Sequence, residues 1–349
     1  MSIQPRHAAA LLAMLLGCSD SASHPEAPIV LSHLATSAPL PWSASESLAV
    51  LGPDTACVLD TYEVRIVCGD RMWNRTTSFG REGRGPREML VPGTLLPLPD
   101  GGLAYVDPRN DRVDLYSPEL KWSTSVRMPG MGPVVPPVDN DSILTLMQTS
   151  FERDRRTLLL YDLARDTLAD LRELRLDAAA VGRDSIAGYP LLRHADEWLV
   201  RVTGDAFLWM SPDGQTTMGV LRPPAFTPEF PDSLDLDEAR TDLRGIFGRV
   251  LESDLERIRQ RRKPAYPPGE IAQLDAGGRV WILSNRPAPA GTLIEVFDGT
   301  AYIGAVQVPA RVLAFRIHDD ILVALTRSVE MDSSGLYPRR LEWYRIAES

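Results

Sequence analysis

The stretch that decides the fold is Thr94–Arg127, which reads TLLPLPDGGLAYVDPRNDRVDLYSPELKWSTSVR. It begins with a short apolar run, turns at Pro99–Gly102, continues as a strand over Leu103–Val106 and then passes through a loop, DPRND. An alternating segment, RVDLY, is followed by a second turn at Ser117–Glu119 and a last strand over Lys121–Arg127. Apolar runs separated by Gly, Pro and Asp are typical of short antiparallel strands. The segment therefore predicts four strands in about 35 residues.

The same order of strands and turns recurs along the chain. Close copies span residues 191–221 and 271–308, and looser copies span residues 49–79, 134–176 and 312–346. An acidic residue marks the first turn of six units: Asp54, Asp100, Asp139, Asp196, Asp275 and Asp319. The second turn has an acidic residue in only five units: Asp70, Glu119, Asp166, Asp213 and Asp298. The last unit therefore lacks its outer strand.

A spare strand near the N-terminus, Ile29–Leu34 (IVLSHL), supplies the missing member. A ring of four-stranded blades closes well when one blade combines strands from both ends of the chain, and closure removes sheet edges that promote aggregation. The sequence therefore predicts an all-β fold, a six-bladed β-propeller in which the N-terminal strand closes the last blade. A pair of β-sandwiches is the alternative, but it does not readily explain the fixed order of strands and turns.

Composition excludes several other classes of protein. The chain has 349 residues, of which 44% are apolar and 24% charged, and its formal net charge is -10. The apolar fraction is too high for a disordered chain, and no apolar run is long enough to span a bilayer. The excess of acidic residues argues against a nucleic-acid-binding protein, which needs a basic surface.

The N-terminus, MSIQPRHAAALLAMLLGC, has the features of a targeting segment. Arg6 provides a positive charge, and the apolar run Ala8–Leu16 is too short to span a bilayer. Leu15–Cys18 resembles the lipobox of bacterial lipoproteins. This resemblance implies cleavage after Gly17 and lipidation of Cys18, and several acyl chains together anchor a protein stably. An ordinary secretory signal that happens to contain a cysteine is the alternative.

These assignments divide the chain into a signal peptide over residues 1–17, a lipidated tether over residues 18–42 and the propeller over residues 43–349. The tether is rich in Ser, Ala and Pro, and it contains the spare strand at residues 29–34. We expect an exported bacterial lipoprotein of the outer membrane or cell envelope, facing the periplasm or the cell surface. Ser19, rather than an aspartate, follows the cysteine, and in well-studied lipoproteins this pattern favours the outer membrane.

The two remaining cysteines, Cys57 and Cys68, enclose the segment VLDTYEVRIV, which has a strand–turn–strand pattern. If the hairpin turns around Tyr62 and Glu63, the two cysteines lie directly opposite each other and can approach disulfide distance. An exported protein folds in an oxidising compartment, so we expect a disulfide between them. Two buried free thiols are the alternative.

Two consecutive motifs give the sequence a family resemblance. Ser78–Met89, SFGREGRGPREM, precedes PDGGLAYVDPRNDRVDLYSPE, and together they resemble the NHL-type, six-bladed β-propeller lipoproteins of bacteria. That family has a link similar to FGxxGxGPGEF, followed by Asp-Gly, a strand and D-x-x-N-x-R-V. The glycines and the proline of the link match, whereas Arg87 stands where a second glycine is usual. The resemblance implies the fold, but a shared fold does not imply a shared function.

One insertion interrupts the repeat between the fourth and fifth units. Residues 231–264, PDSLDLDEARTDLRGIFGRVLESDLERIRQRRKP, carry apolar residues at helical spacing. Asp235 and Glu238 resemble a capping box, and Pro264 ends the run. We expect a helical insertion on one face of the propeller, either as a passive brace or as a lid or partner-docking element.

Candidate functional residues are few. The glycine-rich link carries three arginines that are candidates for binding an anion or a partner: Arg81, Arg84 and Arg87. Glycines allow backbone amides to converge, and guanidinium groups form paired hydrogen bonds with oxyanions. The same glycines equally suit a structural crossing between blades. In the loop DPRND, we expect Asp107 and Asn110 to form turns and Arg112 to pack between blades.

Motifs for a catalytic nucleophile, a metalloprotease or a phosphate-binding loop do not occur in the sequence. His194 and His318 precede the first turns of their units and are interpreted as polar edge residues, so neither a zinc site nor another cofactor is expected. The acidic turns leave open a Ca²⁺ site in the central channel, since Ca²⁺ takes six to eight oxygen ligands. Six-bladed lactonases and related esterases use such a channel, but their ligand pattern does not match this chain residue by residue.

The sequence therefore predicts a membrane-anchored β-propeller that acts as a non-catalytic binding or scaffold module for a protein, peptide or glycan. The alternative is a Ca²⁺-dependent hydrolase of the lactonase or esterase type that uses the central channel. The expected partners are the membrane, through the lipid anchor, and an unidentified ligand, but not a nucleic acid.

Overall fold

The computed structural model describes residues 29–41, 44–90, 93–127, 134–135, 143–148, 155–162, 167–175, 189–194, 197–201, 207–224, 229–233, 235–237, 239–240, 243, 249–267, 271–286, 288, 291–330, 332–333 and 337–348. The expected signal peptide and Cys18 lie outside these residues. Within this part of the chain, no helix is both long enough and apolar enough to cross a membrane.

The described strands form six antiparallel four-stranded sheets. The chain begins with β1 (Ile29–Thr36), which belongs to the last sheet. The first sheet contains β2 (Ala44–Gly52), β3 (Thr55–Asp60), β4 (Arg65–Asp70) and β5 (Thr76–Phe79). The second contains β6 (Thr94–Pro97), β7 (Leu103–Asp107), β8 (Arg112–Tyr116) and β9 (Trp122–Arg127). The third contains β10 (Val134–Val135), β11 (Ile143–Gln148), β12 (Arg155–Asp162) and β13 (Thr167–Arg175).

The remaining three sheets repeat this order. The fourth contains β14 (Tyr189–His194), β15 (Glu197–Arg201), β16 (Phe207–Met210) and β17 (Thr217–Leu221). The fifth contains β18 (Ala272–Leu274), β19 (Val280–Ser284), β20 (Thr292–Asp298) and β21 (Ala301–Val308). The sixth contains β22 (Arg311–His318), β23 (Ile321–Arg327) and β24 (Arg339–Glu348), with β1 as its outer strand. The all-β propeller fold that the repeat predicts is confirmed.

The sixth sheet joins the two ends of the described chain. Ile29 pairs with Glu348 and Thr36 pairs with Glu342, in antiparallel register. The Glu342 carboxylate accepts a hydrogen bond from the Thr36 hydroxyl at 2.7 Å and lies 3.1 Å from His33 Nε2. The spare strand expected at residues 29–34 is therefore present, extends to Thr36 and completes the last sheet.

The first strands of the sheets lie side by side. Contacts link β10 to β14, β14 to β18, β18 to β22, β22 to β2 and β2 to β6. Apolar side chains fill the space between neighbouring sheets, and those between the first and second sheets include Leu59, Ile66, Met89, Leu95 and Tyr105. Because the second strands are covered on both faces, every residue of β7 and β23 is buried. The outer strand β5, TTSF, is mostly exposed.

The acidic first turns close in the same way in two sheets. Asp100 Oδ1 accepts a hydrogen bond from the Gly102 amide, and Asp275 Oδ1 accepts one from the Gly277 amide, both at 2.9 Å. The turn around Asp275 also needs Gly278, which has φ 78°, a conformation that glycine adopts without steric cost. Asp100 and Asp275 therefore build the turns in which they lie.

The predicted disulfide is confirmed. Cys57 and Cys68 pair directly across β3 and β4, with their Cα atoms 4.0 Å apart. Asp60 shapes the hairpin turn, because its Oδ1 accepts hydrogen bonds from the amides of Tyr62 and Glu63 at 3.2 and 3.3 Å. Both cysteines are buried, so the bond is a part of the core.

The insertion between β17 and β18 departs from the expected form. A helix of eight residues, α1 (Glu252–Arg259), is present, and residues 233, 235–237, 239, 240 and 243 are also helical. A continuous helical insertion over residues 231–264 is not supported, because Leu251 is extended and 46% exposed instead of packing on a helix face.

The capping pair also lies three residues earlier than the sequence indicated. The Asp232 amide donates to Asp235 Oδ2, and the Asp235 amide donates to Asp232 Oδ1, both at 2.9 Å. Asp232 therefore occupies the N-cap position of this capping box and Asp235 the N3 position, whereas the sequence analysis placed Asp235 at the N-cap. Glu238, its expected partner, lies outside the described residues.

Candidate binding face

The strand order gives the propeller two different ends. In an antiparallel four-stranded sheet, the first and third connections lie at one end, and the second connection and the exit to the next sheet lie at the other. We call these ends the turn face and the loop face. The turn face carries the acidic turns, such as those at Asp100 and Asp275. The loop face carries two crossings, which we name the short crossing (residues 80–93, from β5 to β6) and the long crossing (residues 222–271, from β17 to β18).

Arg112 holds the short crossing in place. Its guanidinium donates to three carbonyl oxygens of the crossing: that of Arg84 at 3.2 Å, that of Gly85 at 2.9 Å and that of Glu88. Its Nε lies 3.2 Å from Asp114 Oδ2, and the Asp114 side chain is fully buried. Burial raises the pKa of Asp114, although hydrogen bonds from Ser125 and Arg112 work in the opposite direction. The expectation that Arg112 packs between sheets is confirmed.

The loop after β7 adds a second set of contacts to the short crossing. Asp107 Oδ2 accepts a hydrogen bond from the Leu90 amide at 2.9 Å, and Asp107 Oδ1 accepts one from the Asn110 amide at 3.0 Å. Asn110 Nδ2 in turn donates to the Gly83 carbonyl at 3.0 Å. In the D-x-x-N-x-R-V motif, Asp107 and Asn110 therefore form the expected turn. The same two side chains also hydrogen-bond to the short crossing, which arrives from the preceding sheet.

The carboxylate of Glu88, a residue of the short crossing, lies against the backbone of the glycines in that crossing. Glu88 Oε2 accepts a hydrogen bond from the Gly85 amide at 2.7 Å, and Arg81 Nη2 lies 2.9 Å from Glu88 Oε1. The Gly85 amide, followed by the Arg81 charge, lowers the pKa of Glu88. A Cβ at Gly83, where φ is 147°, would lie 2.1 Å from Glu88 Oε2. The glycines are thus needed to admit Glu88, a contact that the sequence analysis missed.

The three arginines proposed for anion binding are all exposed but have different surroundings. Arg81 pairs with Glu88, whereas the Arg87 guanidinium lies 5.0 Å from the centre of the Trp122 ring. Arg87 has φ 62°, which explains why glycine is usual at this position in the similar family. The Arg84 side chain is exposed as well. Anion binding by Arg81, Arg84 and Arg87 stays a prediction.

The long crossing is held on the loop face by ion pairs. Arg311 Nη2 at the start of β22 lies 2.6 Å from Asp235 Oδ1, and Lys263 Nζ lies 3.0 Å from Asp235 Oδ2. Partial burial acts to raise the pKa of Asp235, but hydrogen bonds from the Asp232 amide, Arg311 and Lys263 outweigh it and lower that pKa. One carboxylate therefore joins the insertion to the sixth sheet.

A second contact joins the insertion to the loop after β23. The Tyr337 hydroxyl donates to Asp237 Oδ2 at 3.0 Å, and this hydrogen bond raises the pKa of Tyr337. The Arg327 guanidinium lies 4.3 Å from the centre of the Tyr337 ring. The insertion thus covers the loop-face ends of the fifth and sixth sheets.

The end of the long crossing lies over a buried polar network. Arg286 Nε and Glu295 Oε1 form an ion pair at 2.5 Å, and both side chains are almost fully buried. The Tyr266 hydroxyl donates to Glu295, and burial, followed by the charge of Glu295, raises the pKa of Tyr266. Arg201 donates to the Tyr266 carbonyl at 2.7 Å. The network joins the fourth and fifth sheets, as Arg112 joins the first and second.

The two histidines lie at the turn face, away from these crossings. His194 Nε2 lies 3.6 Å from the point at which a Cβ atom would stand if Gly278 were an alanine. His318 Nε2 lies 3.7 Å from Asp319 Oδ2. In the part of the chain that the structure describes, His, Cys, Asp and Glu side chains do not form a group of three or more that could hold a metal ion.

Exposed apolar side chains differ between the two faces in position and in type. On the loop face, Tyr62 and Val329 are both 68% exposed, and the long crossing carries Phe230 and Leu251 at 53% and 46%. Among the described residues, Val30 is exposed near the turn face. Met72 and Met218 are exposed in or beside second turns, and the Met72 carbonyl accepts a hydrogen bond at 3.0 Å from the amide of Ala38, beyond the loop-face end of β1. Aromatic side chains on loops are typical of recognition surfaces. The loop face is therefore the stronger candidate for binding.

The chain matches no family model and no curated protein. It resembles a Bacteroides fragilis protein named as exported (12% identity, 91% of this chain and 95% of that chain, TM-score 0.49). It also resembles a Bacteroides thetaiotaomicron protein of unknown function (11% identity, 93% and 73%, TM-score 0.48) and a streptogramin B lyase (11% identity, 91% and 97%, TM-score 0.46). Identities and TM-scores this low carry no information about activity or ligand.

Proposed function

We propose that this protein is a cell-envelope lipoprotein whose six sheets close into a six-bladed propeller and whose loop face binds a protein, peptide or glycan without catalysis. Acylated Cys18 anchors it to the membrane, and the lipobox resemblance supports that anchor. Arg81, Arg84 and Arg87 contribute positive charge to the binding face.

The observation that carries the proposal is the attachment of the long crossing to the loop face. Asp235 is paired with both Arg311 and Lys263, and Tyr337 donates to Asp237. These contacts attach the insertion to the sixth sheet, while its own Phe230 stays half exposed. A segment that only braced the ring would gain more by burying its aromatic side chain, because burial of a Phe side chain stabilises by about 1.5–3 kcal/mol.

Site-specific photo-crosslinking in living cells tests the binding face. We place a photoreactive phenylalanine analogue at Tyr62 or Phe230 on the loop face, and at the exposed first-turn residues Asp54 or Asp319 on the turn face as controls. We expect discrete adducts at Tyr62 and Phe230 only, and digestion of the adduct with a protease or a glycosidase identifies its class. Equal adducts at both ends, or adducts at the controls alone, contradict the proposed face.

Two further measurements address the anchor and the absence of catalysis. The mass of the N-terminal peptide of the mature protein should show an acylated Cys18, and an unmodified residue after Ala22 contradicts the anchor. Elemental analysis together with lactone and ester hydrolysis assays tests the binding role. Stoichiometric calcium together with turnover would contradict the non-catalytic binding role and indicate a hydrolase.

A further inference from the structure

The chain enters the propeller at the turn face. Ile29, the first residue of β1, pairs with Glu348 at the end of β24. The neighbouring residues Ile346 and Ala347 line a cavity of about 110 Å³ together with the first turns of the fifth and sixth sheets, at Asp275 and Asp319–Asp320. The start of β1 and the acidic turns therefore share one end of the molecule.

The reach of the tether is comparable to the height of a sheet. Ile29 lies eleven residues after Cys18, which allows about 36–40 Å when fully extended. A flexible chain of that length spans about 17–20 Å on average. The eight residues of β1 run about 26 Å from the turn face to the loop face. Turning the loop face toward the bilayer would require the tether to stretch along the whole outer edge of the sixth sheet.

We infer that the turn face is directed at the membrane and that the loop face, with the long crossing, points away from it. This inference rests on the lipid anchor of the proposed function. A partner of the loop face then approaches from the aqueous side, so the surface fits a macromolecule in the surrounding compartment and not a lipid headgroup.

Chemical anchoring tests this orientation independently of processing in the cell. With Cys57 and Cys68 joined in a disulfide, Cys18 is the free thiol of residues 18–349 and can be coupled to a maleimide phospholipid in phosphatidylcholine vesicles. A fluorophore is attached through an unnatural amino acid at Tyr62, on the loop face, or at the exposed Asp54, in the first turn of the same sheet at the turn face. Energy transfer to an acceptor lipid then reports the distance of each position from the bilayer.

We expect the label at Asp54 to lie closer to the bilayer than the label at Tyr62, by about 20 Å, which is the length of β3. Insertion of twenty Gly and Ser residues after Ala22 should reduce this difference by more than half. Equal distances, or a shorter distance at Tyr62, overturn the inference, and so does a difference that the longer tether leaves unchanged. Absence of acylation in cells would instead contradict the proposed anchor and leave this geometry intact.

Discussion

The short and long crossings make the same kind of connection between sheets but are held in place by different contacts. Each leads from the outer strand of one sheet to the first strand of the next, but the short crossing is bound mainly through its own carbonyls, by Arg112. The long crossing ends above an ion pair, Arg286–Glu295, whose charges are both buried. A crossing held by its backbone tolerates many side chains, whereas one that ends on a buried ion pair depends on two specific residues. The long crossing should therefore be the more sensitive to substitution.

The largest effect is expected at Glu295. Its replacement by alanine leaves the Arg286 charge buried without its partner, which costs about 3–5 kcal/mol in the free energy of unfolding. Urea denaturation measures the loss. Glu256→Ala removes an exposed ion pair on α1 and serves as the control, with an expected cost of no more than about 0.5 kcal/mol.

A paired substitution separates the charge from the packing. Arg286→Leu combined with Glu295→Leu should recover most of the stability lost in Glu295→Ala, since an apolar pair of similar volume avoids desolvation of both charges. If the double variant is less stable than the single one, the hydrogen bonds to Tyr266 and Ser284, and not the ion pair, hold this crossing.

The short crossing should lose less when its anchor is removed. Arg112→Met keeps the length of the side chain but removes the donors to three carbonyls, and it leaves the buried Asp114 without a cation. We expect a cost of about 2–3 kcal/mol, because a partner left unsatisfied in the interior costs its full desolvation. A loss equal to that of Glu295→Ala would remove the proposed difference between the crossings.

Gly83→Ala tests whether glycine is required at position 83 because the Glu88 carboxylate packs against it. The added Cβ would meet the Glu88 carboxylate, and φ of 147° is itself unfavourable for alanine, so we expect a cost of about 2 kcal/mol. Gly299→Ala is the matched control, since its φ is 55° and its Cβ would meet nothing within 4 Å. In the Glu88→Ala background, the cost of Gly83→Ala should fall toward that of the control.

The smallest effect concerns Asp235, which joins the insertion to the sixth sheet. Its folded pKa lies below the usual range of an aspartate, so the pairing stabilises the fold above the unfolded pKa and the benefit disappears as pH falls through the folded pKa. Asp235→Asn should cost about 1 kcal/mol at pH 7, and this cost should disappear as pH falls through the folded pKa. Chemical denaturation of both proteins across this pH range gives the difference, and a cost that does not change with pH contradicts an ionic attachment.

Much of this fold could be predicted from local patterns in the sequence. The spacing of Cys57 and Cys68 around a turn predicted their pairing, and Asp100 and Asp275 marked turns that their hydrogen bonds with backbone amides confirm. Asp107, Asn110 and Arg112 were expected in a turn and between sheets, which is where they lie. These features depend on residues close together in sequence, so their geometry follows from strand periodicity and turn chemistry.

The contacts that the sequence analysis missed depend on how the strands are placed in the fold. Arg201 contacts the carbonyl of Tyr266 across the boundary of the fourth and fifth sheets, and Glu295 pairs with Arg286 because β19 and β20 are neighbours in the fifth sheet. A charged residue inside the apolar run IEVF was the available signal for a buried partner at Glu295. Glu88 gave no such signal, because its contact requires the reversal of the chain between Arg81 and Met89.

The central claim is that β1 closes the ring and thereby places the tether at the turn face and the binding surface at the loop face. Native-state hydrogen exchange measures this closure most directly, because amides in a cooperative sheet exchange only through the unfolding of that sheet. We expect the amides of β1 to be protected to the same free energy as those of β23 and β24. Exchange of the β1 amides within the dead time, with β23 and β24 still protected, would show that the last sheet stands without its N-terminal strand.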